Sequence, residues 1–210
     1  MGAAQAVAII GLVNAPRTHL SKMPESHSLV LDGRTWAEVS LAALRENFHA
    51  VQKHVGNDVT ICAVVKADGY GHGAVECALA LESEGARWLG VTDAAEGLAL
   101  RGAGVMARIL LMTGIWKGEE DGIVTQNLTP TIWEPWHVET LERSAGKRQS
   151  NLPVHLKLDT GMNRLGASPE ALPHLCEMLA ACKHLTLEGV STHFASAEVL
   201  DAEDAVRQMK

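Results

Sequence analysis

From Val59 onward the chain alternates short apolar runs with helical segments, and this rhythm constrains the fold more than any other feature. Val59–Val65 (VTICAVV) is a nearly continuous apolar run, as in a strand covered on both faces. A second such strand is predicted at Trp88–Val91, and further strands at Arg108–Met112, Leu128–Ile132, Val154–Leu158 and within Leu185–Thr192. Between them lie helical stretches at Ala74–Glu84, Ala94–Arg101 (with Asp93 as N-cap), Lys117–Gln126 and Glu134–Arg143, and one opened by Ser168-Pro169 that runs to about Cys182. A last helix begins at Asp201. Strand and helix in alternation with short connections imply parallel strands joined by right-handed crossovers. Six βα units fit two architectures. One is an open doubly wound sheet; the other is a (β/α)8 barrel interrupted after its sixth strand, since the closed barrel needs eight strands and about 250 residues.

Upstream, Leu41–Val55 places Leu41, Leu44, Phe48, Val51 and Val55 on one helical face, and Gly56 stops it. Thr35–Leu41 partly alternates and is predicted as a short strand. Residues 1–33 read as a loose leader without periodicity, and residues 34–210 as the folded part. The apolar run Ala6–Val13 is too short to span a bilayer, and no basic residue precedes it as a signal peptide requires. Met23 offers an alternative start.

Composition narrows the function classes. With 47% hydrophobic and 20% charged residues, the chain can bury a core. A net charge of −7 argues against a nucleic-acid footprint. The four cysteines (62, 77, 176 and 182) have neither metal-ligand nor disulfide-framework spacing, so no metal is expected and the thiols read as reduced, in a cytoplasmic protein.

Three strand-end segments carry chemistry. In Ala63–Gly73 (AVVKADGYGHG), Lys66 stands at the C-terminal end of an apolar strand, where active sites of parallel α/β folds lie. Partial desolvation there makes a lysine a better nucleophile towards a carbonyl. The glycines 69, 71 and 73 before a helix favour a phosphate. A nucleophilic lysine beside a phosphate loop points to pyridoxal phosphate; the structural alternative is a solvated rim charge. In Lys157–Gly166 (KLDTGMNRLG), Arg164 could clamp a carboxylate or a phenolic oxygen, or the segment could be a salt-bridged turn. In Gly189–Ala195 (GVSTHFA), His193 suits stacking on a flat cofactor or proton transfer, with a structural histidine as the alternative.

These motifs, in this order, resemble alanine racemase of the fold-type III pyridoxal-phosphate family: AVVKADGYGHG its cofactor-lysine motif, HLKLDTGMNRLG its mid-barrel motif, GVSTHFASAE its histidine motif and TWAEVSLAALRENF its opening. The resemblance covers about residue 34 to the end. It implies a partial (β/α)8 barrel and interconversion of L- and D-alanine for the cell wall. It further implies that Lys66 carries the cofactor and acts as base on one face of the substrate, that Tyr70 contacts the phosphate region, and that Arg164 binds the phenolic oxygen and the substrate carboxylate. Lys157 matches a lysine carbamylated in many members, and His193 would lie against the pyridine ring. Members are homodimers whose second base is a tyrosine from the partner's C-terminal β domain; this chain has one tyrosine, Tyr70. The resemblance therefore predicts a truncated form without that domain, with its first and sixth barrel strands left unpaired at an edge, poorly folded and inactive alone. A single-barrel pyridoxal-phosphate homeostasis protein and a racemase of wider substrate range are the alternatives.

Overall fold

A computed structural model of the chain describes residues 6–11, 37–197 and 203–208. Among them are seven strands: β1 (Ala6–Gly11), β2 (Val59–Val64), β3 (Trp88–Val91), β4 (Arg108–Leu111), β5 (Thr129–Ile132), β6 (Leu152–Lys157) and β7 (Leu185–Ser191). Every strand pairs in parallel with the next, in the order of the chain. The helical elements are α1 (Leu41–Val55), α2 (Lys66–Gly71), α3 (Ala74–Ser83), α4 (Ala94–Gly102), α5 (Glu120–Thr125), α6 (Pro135–Lys147), α7 (Leu172–Ala181) and α8 (Glu203–Gln208). The six predicted strands are β2 to β7, so the alternation is that of part of a parallel barrel.

Three expectations need correction. The segment read as a loose leader contributes β1, which runs parallel to β2 from Ala6 opposite Val59 to Gly11 opposite Val64. The first predicted strand therefore does not lie at a free edge. An open strand edge presents unpaired N–H and C=O groups, and the apolar stretch AVAIIG supplies them with partners. Where the strand predicted over Thr35–Leu41 is described, residues 37–40 are coil. Ser40 instead accepts the Ala43 N–H at 3.2 Å and caps α1, the role its short hydroxyl favours. Finally, Ser168-Pro169 does not open α7. The Ser168 hydroxyl accepts from the Ala171 N–H, closing a turn, and the helix starts at Leu172 with Pro173 in its first turn.

Successive strand residues face opposite sides, and the two sides of this sheet differ. Ile61, Ala63, Val65, Leu89, Val91, Ile109, Leu111, Ile132, Val154 and Leu156 meet the helices in one continuous apolar core. The other face carries a small cluster of Cys62, Trp88 and Leu110, with polar Thr129, Thr131 and His155 buried on the same side of their strands. The sheet curls around this second face. In a flat sheet β3 and β6 would stand about 14 Å apart, three spacings of about 4.8 Å. Yet the rings of Trp88 (β3) and His155 (β6) lie 5.3 Å apart. Arg108 (β4) makes a two-pronged contact with Glu188 (β7), and its guanidinium stacks 4.0 Å from the Trp88 ring. The guanidinium holds the Glu188 carboxyl below the usual glutamate range. β7 forms an exposed edge: Val190 is 60% accessible, whereas β3 and β5 are buried throughout.

His137 in α6 lies wedged between Trp133 and Trp136, with ring centroids 5.0 and 4.3 Å away. The Trp133 N–H donates to its Nδ1 at 3.3 Å, so that nitrogen must stay unprotonated. Burial pulls the imidazole down to about 4. An unfolded chain protonates this histidine near its ordinary value of about 6.5. Above about 6.5 the group leaves stability unchanged, and from there down to about 4 it costs up to about 3 kcal/mol as the unfolded state takes up the proton first. In His137→Asn the amide oxygen can accept the Trp133 N–H but does not titrate. Urea unfolding at pH 7 and 4.5 should show a smaller loss in the variant; equal losses would assign the pH dependence to other groups.

Candidate active site

The chemistry-bearing residues of the three motifs gather at the C-terminal rim of the parallel sheet, one motif per strand. Lys66 follows Val65, whose N–H donates to the Gly90 carbonyl at 2.9 Å as the last link between β2 and β3. Lys66 is half-buried. Among the described residues its ammonium has no carboxylate partner, and it stands 5.9 Å from the centre of the Tyr70 ring. Tyr70 is 44% accessible.

The backbone that follows Lys66 is unusual. Ala67, Asp68, Gly69 and Tyr70 are all left-handed, with φ between 51° and 61°. Three of the four are not glycine, and each costs roughly 1–2 kcal/mol in this conformation. Several bonds hold the turn. Gly69 N–H donates to Val65 O at 2.8 Å, and Gly73 N–H to Asp68 O at 2.9 Å. The Asp68 carboxylate accepts the Ala74 N–H at 2.8 Å and so begins α3. The Glu96 carboxylate accepts the Ala67 N–H through one oxygen and the Thr92 N–H through the other, each at 2.6 Å.

On β6, Lys157 is the last strand residue. Burial, reinforced by the nearby Arg164 charge, pulls its ammonium below the usual lysine value. The loop from 159 to 166 is pinched shut at its base: Ala167 N–H donates to Lys157 O at 2.8 Å and Asp159 N–H to Ala167 O at 2.9 Å. Within it Asp159 Oδ1 accepts the N–H groups of Asn163 (3.0 Å) and Gly161 (2.9 Å), which hold its carboxyl below the usual range. Arg164 projects from this loop and is exposed. His193, also exposed, follows β7. A relay of hydroxyls joins the last two loops: Gln208 Nε2 donates to Thr160 Oγ1 (3.0 Å), and Thr160 Oγ1 pairs at 2.7 Å with Thr192 Oγ1, which donates to Leu158 O (3.0 Å). Gln208 also donates to His193 O and accepts from Ala195 N–H.

Comparison with known proteins gives this arrangement a family. Residues 39–210 match the model described as alanine racemase, N-terminal domain. The chain belongs to the alanine racemase family. It is 41% identical over 174 residues to the alanine racemase of Geobacter sulfurreducens, covering 82% of this chain and 46% of that protein. It is 41% identical over 170 residues to that of Symbiobacterium thermophilum, covering 80% and 45%. The solved alanine racemase of Clostridium difficile 630 superposes with a TM-score of 0.81 at 33% identity, over 85% of this chain and 47% of that one. The chain thus spans about half the length of the relatives it matches.

In this member of the alanine racemase family, sequence reasoning singled out Lys66, Tyr70, Lys157, Arg164 and His193, and all five lie on the rim formed by β2, β6 and β7. Lys66 neighbours Tyr70, and Lys157 neighbours Arg164. Sequence reasoning passed over Glu96, Asp68, Thr160, Thr192 and Gln208, which shape the loops. One signal was available: Asp93-Ala94-Ala95-Glu96 has the spacing of a capping box. Asp93 does accept the Glu96 N–H at 3.1 Å. The Glu96 carboxylate reaches past its own helix to the Lys66 turn, and no local pattern encodes that.

Proposed function

We propose that this chain carries the pyridoxal-phosphate-binding half of an alanine racemase, a cytoplasmic isomerase that supplies D-alanine for the cell wall. The observation that carries the reading is Lys66, a half-buried amine at the strand rim with no ion-pair partner among the described residues, in a member of this family. Its surroundings fit the cofactor: an amine to hold an aldehyde, the Tyr70 hydroxyl for the phosphate region, and Arg164 as a cation for the phenolic oxygen and the substrate carboxylate. When bound, pyridoxal phosphate supplies the electron sink that acidifies the α-proton of the amino acid. Lys66 anchors the cofactor and moves the proton at the α-carbon on one face. His193, at the end of β7, would hold the flat face of the pyridine ring. Depression of the Lys157 ammonium raises its neutral fraction, which favours capture of carbon dioxide with release of a proton; the resulting carbamate anion orients Arg164. Among the described residues no helix is long and apolar enough to cross a membrane.

Hydrogen exchange at the α-carbon of alanine in D2O, followed by NMR with the chain and pyridoxal phosphate, tests this reading. Lys66 serves one face, so one enantiomer should exchange faster than with free pyridoxal phosphate, with little inversion. Equal rates with and without the protein would refute the proposal.

A further inference from the structure

We infer that Glu96 is a positioning residue for Lys66, its carboxylate fixing the direction in which that side chain leaves the strand. The inference rests on the reading of Lys66 as the cofactor anchor. Glu96 lies in the first turn of α4, and its two carboxylate oxygens reach separate segments: the Ala67 N–H directly after Lys66, and the Thr92 N–H at the end of β3. The peptide plane between Lys66 and Ala67 is therefore tied to the neighbouring strand end. Without that tie the left-handed residues 67–70 favour a return to ordinary backbone angles. Such a return would swing Lys66, because the Ala67 N–H belongs to its own peptide unit.

Other carboxylates use the same chemistry elsewhere in the molecule, which gives Glu96 an internal comparison. Glu82 accepts the N–H groups of Met106 and Ala107, just before β4, both through Oε1. Glu142 accepts those of Lys183 and His184, just before β7, at 3.0 Å each. Both lie where the chain enters a strand, at the end of the sheet away from Lys66. Glu96 alone of these three grips the C-terminal rim. Its two acceptors also make the requirement specific to a carboxylate: in Glu96→Gln one of the two converging N–H groups meets an NH2 group instead of an oxygen. Asp93 remains to cap α4, so the helix keeps its start.

The test compares the native chain, Glu96→Gln and Glu142→Gln, whose carboxylate also receives its two N–H groups on separate oxygens. Each is incubated with pyridoxal phosphate at several concentrations and reduced with borohydride, and labelling of Lys66 is followed by peptide mass. Amide hydrogen exchange at Ala67 to Tyr70 is recorded in parallel, with circular dichroism as a check of folding. Glu96→Gln should lower the Lys66 labelling rate at saturating cofactor roughly tenfold, as expected for one lost charge-assisted hydrogen bond, with little change in the half-saturating concentration. Exchange at Ala67 should accelerate to a similar degree. Glu142→Gln should affect neither. Equal losses in the two variants would assign Glu96 a general structural role and overturn the inference, as would unchanged exchange at Ala67 in Glu96→Gln. Native protein that labels no more at Lys66 than at exposed lysines would instead refute the cofactor reading, and the exchange data would still decide whether Glu96 holds the turn.

Discussion

Lys66→Ala is expected to remove selective attachment of pyridoxal phosphate while leaving the fold intact. Reduction with borohydride and peptide mass should find only the background seen at exposed lysines such as Lys53. The loss at the β2 rim should be roughly a hundredfold or more, because a held amine reacts far faster than a free one. The fold should hardly notice. The Lys66 ammonium has a tyrosine ring at 5.9 Å and no carboxylate among the described residues, so its removal should change stability by no more than about 0.5 kcal/mol. Lys66→Arg sharpens the result: it keeps the positive charge but offers no amine that can be freed of its proton at neutral pH. Selective labelling that persisted at another lysine in either variant would relocate the anchor.

Gly166→Ala should be the most damaging single change in the loop that carries Arg164. Gly166 has φ +132, a region that side chains rarely adopt. An added Cβ would stand 2.6 Å from both Asp159 N and Leu158 C, which are backbone atoms that cannot rotate away. Those atoms belong to the pinch between Leu158 and Ala167 that closes the loop. Strain and overlap together should cost roughly 2–5 kcal/mol, a fall in melting temperature of roughly 10 °C for a chain of this size. Gly104→Ala is the comparison, since φ there is +88 but nothing lies within 4 Å of the new atom. Calorimetry that found the two variants equally stable would show that the loop can open its base without penalty.

The parts of this fold that were legible in the sequence are those decided within a few residues. The apolar runs at Val59, Trp88 and Arg108 mark β2 to β4, because a strand covered on both faces must be apolar at successive positions, and the alternation with helices marks β5 to β7. Leu41–Val55 matches α1 end to end, because its apolar spacing is helical and glycine follows. The rim residues were legible too, since parallel strands must present their C-terminal ends together. Ala6–Gly11 was not. An isolated apolar run before a stretch with no periodicity looks the same whether or not an open strand edge awaits it. Ser40 was misread for a related reason: a short partly alternating stretch is a strand only where a neighbour offers a ladder.

What the order of amino acids determined by itself is the alternation of strand and helix, the placing of Lys66, Lys157, Arg164 and His193 just at or beyond strand ends, and the family to which those motifs belong. The first two follow from periodicity and spacing along the chain, and the third from the resemblance of the motifs to a known family. Tertiary structure alone decided how those ends are shaped. The curl that brings Trp88 to His155 and Arg108 to Glu188 joins residues 67 and 80 positions apart. The left-handed turn after Lys66 defies the local preference of alanine, aspartate and tyrosine, and is held in part by a carboxylate 29 residues further along the chain. Gln208 reaches Thr160 across 48 positions. Such contacts depend on where the folded sheet carries each group, and no local pattern records that.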